Sequence, residues 1–122
     1  MVELLNESIL VLQKLSSYHP SWNNLGENKM VKVTLHDKKY TESFWVWIES
    51  IESNTYIIGI ISNQIISNKL KLGQRISFHI DFIKEISNRS YTKEETKLAI
   101  YLTNVRNNPI TKYFNSINPK FN

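Results

Sequence analysis

At 122 residues, with 41% hydrophobic and 21% charged side chains, the chain has the size of one domain and ordinary globular chemistry, which excludes a charge-rich disordered tail. It contains no cysteine, so disulfides, thiolate metal sites and a cysteine nucleophile are excluded together, and no dependence on an oxidising compartment is expected. The net charge of +4 is uneven: residues 1–68 carry five Lys against seven acids, and residues 69–112 nine basic groups against four acids, so the second half projects a positive field suited to an acidic protein surface or a phosphate backbone.

The opening Met-Val-Glu-Leu-Leu-Asn-Glu places acids where a signal peptide carries positive charge, and no apolar run approaches the length of a membrane span. A cytoplasmic protein without a membrane partner is therefore expected. Leu5, Ile9 and Leu12 at helical spacing, widened by Leu4, Val11 and Leu15, predict an amphipathic helix over 3–17. It ends before His19-Pro20, because the residue ahead of a proline is pushed out of the α region. Pro20 to Asn28 reads as a loop in which Trp22 and Leu25 cover the core.

From Met30 the period becomes two. Val31, Val33 and Leu35 alternate with Lys32, Thr34 and His36, as a half-buried strand requires, and His36-Asp37-Lys38-Lys39 follows as a polar turn. Strands are predicted at Ser43 to Ser50 and Thr55 to Ser62, joined by Ile51-Glu52-Ser53-Asn54 as a hairpin connection. Phe44, Val46 and Ile48 share one face, and Trp45, Trp47 and Glu49 the other. Gly73 suits a tight turn, after which Ile76, Phe78 and Ile80 alternate with Ser77, His79 and Asp81. Thr92-Lys93-Glu94-Glu95 has the capping-box pattern, predicting a helix over 93–106 with Leu98, Leu102 and Val105, helped by Ala99 and Tyr101, as its apolar stripe. Asn107-Asn108-Pro109 stops it, leaving a tail over 107–122.

The expected fold is a single α+β domain. A strongly bent antiparallel sheet or small SH3-like barrel of about five strands, over 30–86, is flanked by one helix on each side.

Within that sheet, Glu42-Ser-Phe-Trp45-Val46-Trp-Ile48, Gly59-Ile-Ile-Ser-Asn63, Leu70-Lys-Leu72-Gly73-Gln-Arg75-Ile76-Ser-Phe78 and Ile83-Lys-Glu85 follow one another. In this order they resemble the YegJ-like family of small bacterial proteins and related immunity proteins of polymorphic toxin systems. Gln74 and Glu85 stand where that pattern has Asp, and no proline follows Asn63. The resemblance implies a small β-rich module without catalytic residues, and toxin neutralisation as one function.

The residues themselves give little chemistry. The three histidines, His19, His36 and His79, lack metal-motif spacing. His79 and Asp81 on one strand face read as surface neighbours rather than an acid–base pair. Glu49 and Glu52 flank a hairpin and read as solvated ends rather than a glycosidase-like pair. There is no nucleophile elbow and no phosphate-cradling glycine loop. No enzyme, metal or cofactor is expected.

Trp45 and Trp47 lie side by side off the core face. Either a terminal helix covers them, or they anchor a partner, as tryptophan often does at interface hot spots. Lys69, Lys71 and Arg75, with Lys38 and Lys39, form a basic rim that is either plain solvated surface or a dock for acidic groups. These seven residues are the candidate partner-binding site. The expected partner is a protein with an acidic surface, a toxin or effector, with a nucleic acid as the alternative and a monomer or homodimer as the working form.

Overall fold

The computed structural model describes residues 2–5, 24–37 and 40–106. Six strands make one mixed sheet in the order β1-β5-β4-β3-β2-β6. They are β1 (Glu3–Leu4), β2 (Lys29–Asp37), β3 (Tyr40–Glu52), β4 (Tyr56–Ile61), β5 (Arg75–His79) and β6 (Glu85–Ser90), and α1 (Lys93–Arg106) follows the sheet. Strands β2 to β5 form an antiparallel meander, while β6 returns to pair with the free side of β2.

Alternation fixes which side is buried. Val31, Val33, Phe44, Val46, Ile48, Ile57, Ile61, Ile76 and Phe78 are all at most 1% exposed and belong to one apolar cluster. No residue of α1 belongs to that cluster, to which Leu5, Ile65, Leu70, Phe82 and Ile83 add from outside the strands.

The structure changes several expectations. Glu3–Leu4 is a strand, parallel to β5, and not the first turn of a helix; the rest of the 3–17 segment lies outside the described residues, as do Trp22 and the tail. Pairing with β5 satisfies backbone groups that a helix start leaves open, and Leu5, whose N–H donates to the Ser77 carbonyl at 2.8 Å, is buried as a core plug. The sheet is mixed and open, with β1 and β6 at its edges and no pairing that closes a barrel among the described residues.

Strand β3 is longer than its alternation suggests. The register passes from Ile48↔Gly59 to Ser50↔Ile58, so Glu49 is an extra, bulged residue. A bulge reverses which parity faces inward. Ile51 therefore points to the core side opposite buried Ile57, although it reads as hairpin loop in the sequence. The turn itself is made by Ser53 and Asn54, both left-handed at φ +53° and +56°. After β5 the alternation stops in a 3-10 turn at Ile80–Phe82, and Glu85–Ser90 pairs as a further strand.

Candidate functional site

The two tryptophans have different fates. Trp47 is 3% exposed and its indole N–H donates to the Tyr91 carbonyl at 2.8 Å, just ahead of α1. Trp45 is half-buried, with the Lys32 ammonium 5.0 Å from its ring centroid, and that ammonium also meets Glu85 at 3.0 Å. Trp47 is therefore buried and presents no exposed face to a partner, whereas Trp45 stays partly open. Lys32 is a cation the sequence reading did not assign; its pairing opposite Trp45 follows from the β2–β3 register.

Arg75 is already engaged: its Nε and Nη2 both donate to Glu49 Oε1, at 2.9 and 2.5 Å. The guanidinium crosses β4 to hold the bulged residue, a use of its fork inside the chain. Glu49 is thus ion-paired within the chain, while Glu52 is exposed. Lys38 and Lys39 lie outside the described residues. His79 Nδ1 accepts the Asp81 N–H at 3.0 Å and stands edge-on to Tyr56 at 5.4 Å, which makes it a turn cap. Among the described residues no group of His, Asp and Glu is arranged to hold a metal ion.

What the structure assembles instead lies around α1 and the loop after β4. The helix begins with the expected capping box: the Glu95 N–H donates to Thr92 Oγ1 and the Thr92 N–H to Glu95 Oε1, both at 3.0 Å. That backbone bond, with the Arg89 guanidinium at 2.5 Å, holds the Glu95 carboxyl below its usual range. Along the helix, Thr96 is buried and Ile100 and Thr103 are half-buried, so this line faces the body of the molecule, and Ile100 reaches Gly73. Leu98, Tyr101, Leu102 and Val105 sit on the opposite side, 39–63% exposed. The predicted apolar stripe exists but points outward.

The loop over 62–74 is pinned at several points. The Glu42 carboxylate accepts the Ile66 and Ser67 N–H groups at 3.1 and 2.9 Å, and Asn63 Oδ1 accepts the Trp45 N–H at 2.6 Å. Gly73 takes φ +88° in the following turn, which Gln74 closes by accepting the Lys71 N–H at 2.9 Å. Between this loop and α1 lies an open cleft of about 350 Å³, lined by Ile65, Leu70 and Leu72 and by Asn68, Lys71 and Asn104 among others. Lys71 of the basic rim thus lines a concavity, and Lys69 is exposed on the same loop. No family model matches the chain, and no curated protein or solved structure is found to be similar to it.

Proposed function

We propose that this chain is a non-catalytic protein-binding module, an immunity-like protein that neutralises a toxin or effector by occluding it. The observation that carries the reading is the outward stripe of α1. Leu98, Tyr101, Leu102 and Val105 stand together on one helix face while the sheet buries its core without them. Contiguous exposed apolar side chains with a polar rim are typical of protein interaction surfaces. Lys93, Lys97 and Arg106 on the same helix give the rim its basic groups, matched to an acidic partner.

The sequence pattern over 42–85 that resembles immunity proteins is in keeping with this reading, and His79, Glu49 and Arg75 each make contacts within the chain. The test is capture of the product of a neighbouring toxin-like reading frame, with rescue of its toxicity. Leu98→Asp with Leu102→Asp is expected to abolish capture while leaving the melting temperature within a few degrees, because neither side chain is in the core. Absence of binding and of rescue for the unaltered chain would sink the proposal.

A further inference from the structure

We infer that the cleft between the 64–72 loop and α1 receives an acidic side chain flanked by aliphatic ones on the partner protein, an inference that rests on the protein-binding reading above. Its floor is apolar, with Ile65 and Leu70 at 6% and 2% exposure and Leu72 half-buried. Its polar lining among the described residues is Gln64, Ser67, Asn68, Lys71 and Asn104, which carry side-chain donors suited to a carboxylate and include one cation and no acid.

Among the described residues, Lys71 carries a charge that is not cancelled inside the chain, as do Lys84, Lys93, Lys97 and Arg106, but of these only Lys71 lines the cleft. Lys32, Arg75 and Arg89 are neutralised by Glu85, Glu49 and Glu95 respectively. Lys71 has no carboxylate within ion-pair distance among the described residues, while its own backbone N–H is locked by Gln74. The loop is held in place before any partner arrives, by Glu42 and by the Gly73 turn, so little ordering is needed on binding.

A volume of about 350 Å³ accommodates one or two side chains rather than a folded element. A phosphate is the poorer match. Among the described residues no arginine fork lines the cleft to hold a dianion, and its single lining cation, Lys71, matches one carboxylate charge.

The experiment is a titration of the full chain, followed by backbone amide shifts, with the blocked tripeptides Leu-Glu-Leu and Leu-Gln-Leu and with oligothymidine. Saturable shifts confined to Asn68, Lys71, Leu72 and Asn104 are expected for the Glu peptide. Binding of the Gln peptide should be about fivefold weaker, as should binding of the Glu peptide to the Lys71→Gln chain. Lys84→Gln, an exposed lysine elsewhere, should leave the affinity unchanged.

Equal binding of both peptides, shifts scattered over many lysines without saturation, or stronger shifts of the same amides with oligothymidine would each overturn the assignment. The two proposals fail separately. If a toxin is captured equally well by the Lys71→Gln chain, the cleft falls and the binding module stands. If the peptide binds as expected and no toxin is captured, the cleft stands and the immunity reading falls.

Discussion

A β-carbon at position 59 would lie 2.5 Å from the Trp47 carbonyl oxygen and 2.6 Å from Val46 Cγ1, beside the bulge at Glu49. Backbone cannot yield there without disturbing two ladders at once, so Gly59→Ala is expected to cost about 2–3 kcal/mol, read as a lower urea midpoint at unchanged slope. Thr96 is the opposite case. It is buried, and its Oγ1 has no hydrogen-bond partner among the described residues. Thr96→Val keeps the shape and removes the unsatisfied group, so a stability change between zero and a gain of about 1 kcal/mol is expected; a clear loss would reveal a bond at that hydroxyl. Glu95 carries the pH dependence. Its folded pKa lies below the ordinary 4.5, first through the Thr92 N–H and then through Arg89. The carboxylate's contribution is therefore complete above that ordinary value and is lost as pH falls through the folded one. Helical ellipticity of α1 should decline in that acid range. Glu95→Gln keeps an acceptor for the cap and should flatten the decline.

At the level of elements, the inner face of the meander was legible because alternation maps directly onto burial: Val31, Val33, Leu35, Phe44, Val46 and Ile48 are all core. Ile51 was not, because a bulge inverts parity and leaves no mark in hydrophobic pattern. The start of α1 was legible from the capping box, yet the orientation was not, since Thr96, Ile100 and Thr103 present a weakly apolar line that packs inward while the stronger stripe faces out. The candidate site divided similarly. Lys71 was within reach of composition, but its cleft depends on loop contacts such as Glu42 with Ser67, 25 residues apart in sequence. Trp47 joins β3 to the start of α1 through its indole and the Tyr91 carbonyl. Trp47→Phe keeps an aromatic ring and removes this donor, so a loss of about 1–2 kcal/mol is expected, together with faster amide exchange at the beginning of α1. Loss of stability without any change in α1 exchange would show that the indole serves the sheet alone.

For the molecule as a whole, cohesion is unevenly distributed. One cluster gathers side chains from β2 through β6, and its central strands are paired on both sides, whereas α1 adds none of its residues to that cluster. Among the described residues its ties include the Trp47 indole ahead of its first turn, the capping box with Arg89, buried Thr96, and Ile100 against the Gly73 turn. Local opening follows apolar burial and exposed backbone bonds rather than secondary-structure type. Amides of Val33, Val46 and Ile57 should thus exchange only through global unfolding, with protection that falls in parallel with added urea. Those in the second half of α1 should open at a distinctly lower free energy, nearly independent of urea. A helix able to loosen on its own scaffold can adjust its outward leucines to an incoming surface without loss of the sheet that presents it. If α1 amides instead exchange at the same free energy as those of β3, the helix is an integral part of the core, and its exposed stripe would have to be read as a rigid surface rather than an adaptable one.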